Sequence, residues 1–465
     1  MGEVKSYNKN IKNMMGEYHK ATWTMAWPMI ISMLITTSYN LGDGIIVSIL
    51  GTKAFSAVGF VTPLFMVATG LANGLAAGSS SFIARKIGAK DKEGADLGAS
   101  QSIFISIFVS IILTVIILIF QKNILLTLGA SSVIDLALEY STVSFIGIIF
   151  ILISSILTGV FRAEGDVKRP LYVLASTAVL NTFLDYIFAS PDGFNLGISS
   201  VALGTIIASG ISSFIFLYWL IIKKDTYVNV KKEYLKPNWN VMKGIFTVGI
   251  PASLEMFCSA VMVVIINAVF AHIANNHAVA SYAAGMRIIL FAMVPTVGLS
   301  TATITVAGSS YGAGLYKKVR NIFLYSLKLG LILSVSIGLI IFIFAPHLSL
   351  LFCLAEDNKS LTDLVAIMLR IYFVFFIAMP IGLIPGAFFQ SLGKGSISLG
   401  LTIIRENILS TLSIYIFAFV LNMGILGVFL ALVLGKLVGS LIGFLYANYY
   451  SKNLIKKMDK NKATT

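Results

Sequence analysis

Long apolar runs alternate with short polar punctuation along this chain. Runs of roughly 20 residues or more, the length a helix needs to cross about 30 Å of hydrocarbon, recur at 22–50, 56–84, 98–120, 141–161, 171–190, 196–222, 245–272, 280–310, 323–347, 366–390, 397–421 and 424–449. We number these spans one to twelve. They are too long for barrel strands, so the pattern predicts an all-α integral membrane protein. The longest polar connection, KKDTYVNVKKEYLKPNWNVMK at 223–243, separates spans six and seven. It divides the chain into an N-terminal segment 1–21, an N-lobe 22–222, a linker 223–243, a C-lobe 244–449 and a C-terminal tail 450–465.

The two halves repeat. AWPMIISML (26–34) parallels GIPASLEMF (249–257), and SFIARKIGAKDKEGA (81–95) parallels TVAGSSYGAGLYKKV (305–319). AEGDVKRPL (163–171) parallels SLGKGSISL (391–399), and NLGI (195–198) parallels NMGI (422–425). The offset stays between 223 and 228, and Gly74 and Gly88 fall opposite Gly298 and Gly312. With six spans each, both halves have the same orientation, which predicts two six-helix lobes related by a pseudo-two-fold axis along the membrane normal.

Charge orients the spans. Basic residues number 34 against 20 acidic ones, and charged residues make up only 12% of the chain. In a soluble protein this excess would raise nucleic acid as a partner; here its distribution sets topology instead. With the N-terminus cytoplasmic, 26 of the 34 basic residues fall on the inside, and only Lys53, Lys122 and Lys359 on the outside. The expected location is therefore the cell membrane, multi-pass, with both termini cytoplasmic. The first residues, MGEVKSYNKNIKNMMGEYHK, carry no apolar core or small-residue cleavage site, so no cleaved signal peptide is expected. Cys258 and Cys353 are two isolated thiols, and no His or Cys spacing predicts a metal site. No GxSxG, P-loop or paired His appears, so an enzyme is not expected, nor is any cofactor.

Polar groups inside the spans carry the functional reading. A carboxylate at such depth costs about 2.5–3.5 kcal/mol on insertion scales. Asn181 and Asp185 are four residues apart in span five and share one helix face. Asp43, Asp185 and Thr205 each lie about five to nine residues from the outer ends of spans one, five and six, within roughly 7–14 Å of that boundary. One oxygen-rich pocket holding Asp43, Asn181, Asp185 and Thr205 is the expectation. Two carboxylates there cannot comfortably both ionise, so either one holds a proton or a cation, Na⁺ being suited to such oxygens, sits between them. In the second half Ile414 stands opposite Asp185 and Asp43 maps near Ile266, so the repeat itself does not require these acids. The plainer alternative for each polar residue is an interhelical hydrogen bond. The C-terminal half carries Glu255, Arg405, Glu406 and Lys436 near mid-depth, either a satisfied charge network or a second coupling or substrate site. Pro28 sits inside span one, as packing kink or hinge.

These residues resemble the multidrug and toxic compound extrusion (MATE) transporters over essentially the whole chain. The resemblance rests on Pro28 with the downstream Asp43, IARKIGAKDKEGA after span two and its echo SSYGAGLYKKV, FRAEGDVKRP (161–170), the NxxxD of Asn181 and Asp185, and the stretch from Gly197 to Thr205. It implies two six-helix lobes around a central cavity, and antiport of organic, often cationic drugs against H⁺ or Na⁺ by alternating access. It implies a coupling site at Asp43, Asn181, Asp185 and Thr205, a hinge at Pro28, and Glu255 as a match to a span-seven carboxylate used by some members. The Asn that the family often supplies from span four has no equivalent here, where Ser154, Ser155 and Thr158 stand. A monomer exporting a toxic organic cation is the expected state and activity. A lipid-linked oligosaccharide flippase of the same superfamily is the alternative.

Overall fold

The computed structural model describes residues 4–189, 194, 196–273, 276–352 and 359–463. Cys353 and Asn195 lie outside them. Every predicted span coincides with helix. Spans one to three are Tyr18–Ile49, Thr52–Gly88 and Lys92–Thr127. Span four is a bent pair, Ile134–Ile146 and Ile148–Ala163, turning by 45°. Span five is Lys168–Ala189, and span six, Ser199–Leu217, runs on into a π-helical turn, Tyr218–Lys223. Spans seven to nine are Trp239–Ile273, Asn276–Gly312 and Tyr316–Phe352. Span ten is Lys359–Ile371 with Phe373–Ser391. Span eleven, from Gly395, changes to π-helix at Ile403–Leu409 and Tyr415–Val420, and span twelve is Gly424–Ala463. Ahead of them stands a short helix, Val4–Met14, within the N-terminal segment. Among the described residues ten helices are long and apolar enough to cross a membrane, eleven if the bent pair is one span. Span one, outside that count, is helical over 32 residues.

Packing divides the chain into two compact units, Met1–Met15 with Ile31–Ser253, and Gly16–Ile30 with Leu254–Thr465. The first turns of spans one and seven thus pack with the opposite half. Small residues explain the exchange, because they let backbones touch. In the first unit, span two lays Gly74 and Gly78 against the start of span seven. A Cβ on Gly78 would stand 2.5 Å from the Ile245 carbonyl and 2.8 Å from the Gly249 nitrogen. In the second unit Gly298, the counterpart of Gly74, faces the backbone of Ile30, where a Cβ would stand 3.0 Å from its nitrogen.

The repeat extends to side chains. Ser102 donates to Ser79 Oγ across spans two and three at 2.8 Å, and Thr303 donates to Ser326 Oγ, at the same offset, at 2.9 Å. Gly197 and Gly424, the paired glycines before spans six and twelve, both take positive φ, 77° and 59°, where a side chain would be strained.

Each unit also holds the chain that leaves its sixth helix. In the first unit Glu164 accepts from the backbone N–H groups of Tyr227 (2.8 Å) and Val228 (3.3 Å), and Asp96 from that of Asn229 (2.8 Å). Buried Gln101 donates to the carbonyls of Tyr234 and Lys236, both at 2.7 Å, and accepts from Asn238 N–H. Arg169 grips Asp225 with two parallel bonds of 2.9 and 2.8 Å. The connection read from sequence as a linker is therefore a strap laid on the first unit. In the second unit the chain continues as helix, and bases do the holding. Arg320 donates to the Asn448 carbonyl and to Ser451, and Lys394 lies over the Tyr450 ring.

Candidate functional site

Spans one and five bring two of the predicted acids together. Asp185 is fully buried on Lys168–Ala189, and its Oδ2 accepts from Asn181 Nδ2 at 2.8 Å, the bond that their spacing of four sets up. The Asp43 carboxyl, half-buried on span one, comes within hydrogen-bond reach of the Asp185 side chain. Two carboxylates cannot donate to each other. In the described structure Oδ1 of Asp43 and Oδ1 of Asp185 are both buried without a hydrogen-bond partner. A proton or a hard cation is what this arrangement is short of, since an unsatisfied buried carboxylate oxygen is expensive.

Thr205 takes another course. Its hydroxyl donates to the Val201 carbonyl one turn back on its own helix, at 3.3 Å. The span-six residue against Asp185 is instead Gly204, whose missing side chain leaves room for Asp185 Oδ1. Two tyrosines that sequence reasoning passed over complete the surroundings. Tyr39, one turn before Asp43, and Tyr140 of span four both lie in the field of the two acids. Tyr39 was findable, being four residues from Asp43 on the same face; nothing in the sequence marked Tyr140. Ser154, Ser155 and Thr158 are engaged elsewhere, with Ser212, Asn73 and the Ser154 carbonyl respectively.

The second unit gathers its predicted charges into a different arrangement. Glu406 pairs with Arg405 Nε at 3.1 Å and with Lys436 Nζ at 2.7 Å. Lys436 also lies over the Phe375 ring, 5.3 Å from its centre. Glu255 stands beside them, taking both oxygens to Gln390 Nε2 at 3.2 and 3.3 Å. Gln390 is the member that sequence reasoning missed. Two acids and two bases balance, and the Glu406 carboxylate is doubly paired, the condition under which buried charges are tolerated. The π-helical turn Ile403–Leu409 carries Arg405, Glu406 and Asn407, and Asn407 donates to the Cys258 carbonyl at 3.1 Å. Pro28 lies within span one, which stays helical from Tyr18 to Ile49.

The chain has recognisable relatives. The MatE family profile matches residues 28–187 and 251–416, one segment in each half. The multidrug export protein MepA of Staphylococcus aureus (strain NCTC 8325 / PS 47) is 26% identical over 378 residues, covering 81% of this chain and 82% of that protein. The MepA of Staphylococcus saprophyticus is 25% identical over 377 residues, 79% of this chain and 80% of its own length. Among solved structures, an outward-facing multidrug resistance MATE family transporter of the MOP superfamily superposes with a TM-score of 0.93 at 33% identity, over 96% of this chain and 99% of that one. A MOP superfamily transporter from Pyrococcus furiosus, described as having a binding pocket of reversed polarity, gives 0.92 at 33% identity, over 96% and 98%.

Proposed function

The chain belongs to the MATE family of membrane transporters, and on that footing we propose that it is a secondary antiporter exporting organic, cationic amphiphilic drugs in exchange for H⁺ or Na⁺. The observation that carries the coupling half of this reading is the Asp43–Asp185 contact with its unpartnered oxygens. Loading that contact with a proton or a cation removes the repulsion between the acids, and unloading restores it. Spans one and five are thereby drawn together or pushed apart, and Pro28 is where span one would yield. Relatives described as multidrug export proteins support drugs as cargo. The balanced pairs around Glu406 favour a structural role for Glu255, Arg405, Glu406 and Lys436, which leaves coupling to the first unit. The working unit is a monomer in the cell membrane with both termini cytoplasmic.

Dye efflux from proteoliposomes, driven by a Na⁺ gradient alone and then by a pH gradient alone, tests this. Asp185→Asn should abolish coupled efflux, a loss of at least about a hundredfold, while the protein remains folded and monodisperse. Full activity in that variant would overturn the assignment of the coupling site. No efflux with either gradient in the unaltered protein would overturn the antiporter reading in favour of the oligosaccharide flippase.

A further inference from the structure

We propose that the strap between spans six and seven is a preformed binding surface for anionic phospholipid headgroups, at the membrane face where these two helices emerge. Its backbone is fixed from beneath. Glu164, Asp96 and Gln101 take up the main chain of Tyr227, Val228, Asn229, Tyr234, Lys236 and Asn238, and Arg169 holds Asp225. With its polar main chain turned inward, the strap presents its long side chains outward. Lys224, Lys231, Lys232 and Lys236 are all exposed. Of the two acids in the segment, Asp225 is spent on Arg169 and Lys223, which leaves Glu233, together with Glu93 of span three where it accepts from the Tyr234 hydroxyl at 3.5 Å, against four exposed lysines.

Apolar groups set the level at which these lysines stand. Ile222, the last apolar residue of span six, is 70% exposed, and Trp239, the first residue of span seven, is 68% exposed. An isoleucine facing hydrocarbon and a tryptophan at the boundary place the intervening lysines among headgroups, where Trp is enriched and cations meet lipid phosphate. Topological bias alone asks only that a loop be basic. It does not ask that the loop be bolted down at its main chain, and the fixed geometry is what makes a repeated lipid contact possible without ordering cost.

The full-length protein, reconstituted in nanodiscs of phosphatidylcholine with and without phosphatidylglycerol, supplies the test. The readouts are lipid retained in native mass spectrometry and the thermal unfolding midpoint. The unaltered protein should retain phosphatidylglycerol and unfold at a higher temperature in its presence. The triple variant Lys231→Gln, Lys232→Gln, Lys236→Gln leaves the anchoring main-chain bonds in place. It should lose relative affinity by about fivefold per lysine, roughly a hundredfold in all. A charge-matched variant, Lys9→Gln, Lys452→Gln, Lys456→Gln, should retain the lipid. Equal losses in both variants, or no preference for phosphatidylglycerol in the unaltered protein, would overturn the proposal. Displacement of the lipid by millimolar glycerol phosphate would also overturn it, by making the surface a site for a soluble phosphate. Transport is not among the readouts, so failure here is separable from failure of the antiporter reading.

Discussion

Glu164 stands just past the end of span four, 2% exposed, with two backbone amides as its donors. Burial pushes its carboxyl up to about 8, and Asp166 beside it pushes the same way; the amides and Arg169 oppose but do not cancel this. The folded state therefore favours the neutral acid. Below the ordinary Glu range near 4.5 that preference stabilises the fold in full, and it is lost as pH rises through about 8. Glu164→Gln keeps an acceptor for the amides without the charge. Its unfolding free energy should be flatter between pH 5 and 8 and exceed that of the unaltered protein by a few kcal/mol, roughly, above pH 8; parallel stability–pH curves would refute this. Residues at this scale were legible in the sequence only where spacing along one helix sufficed. Asn181 and Asp185 are four apart and do bond. Tyr140, Gly204 and Gln390 come from other helices, and which way a helix is rotated about its axis is set by packing, which residue type does not encode.

The helices themselves were legible because hydrocarbon demands a long apolar run, and all twelve predicted runs are helical. Three features were not. The 45° bend in span four, the π-helical turns of span eleven and the exchange of first turns between units all depend on neighbours. The exchange has a sharp consequence for span two. Gly78 is pressed on backbone atoms of span seven, which cannot rotate away as a side chain could, whereas Gly59 on the same helix has nothing within 4 Å. Gly78→Leu should cost about 3 kcal/mol or more, since overpacking a tight contact already costs about 1–3, and Gly59→Leu should be close to neutral. A thermal melt of the two purified variants checks the difference. Equal melting points would mean that the approach of spans two and seven can relax.

Across the whole molecule the repeat preserves a frame and changes its chemistry. Ser79 with Ser102, and Thr303 with Ser326, tie the same pair of helices in each unit. Yet Asp185 of span five gives way to Ile414, and two acids with an amide hold the strap where bases hold span twelve. An irregular strap leaves both N–H and C=O groups free, so it takes acceptors in Glu164 and Asp96 and a donor in Gln101; inside the helix of span twelve only the second lone pair of a carbonyl is open, so there the partner is a donor, Arg320. Residues 223–243 look like a solvated tether in the sequence because lysine, asparagine and proline are what tethers are made of. Their amides should keep a different clock. Tyr227, Val228, Asn229 and Asn238 are bonded to buried or half-buried side chains, so in hydrogen–deuterium exchange they should hold their protons for minutes to hours, as helix amides do, where a free tether would exchange within seconds. Rapid labelling of this peptide would mean that the connection opens freely in solution. Slow labelling would make it, by the measure of local opening, part of the folded body it joins.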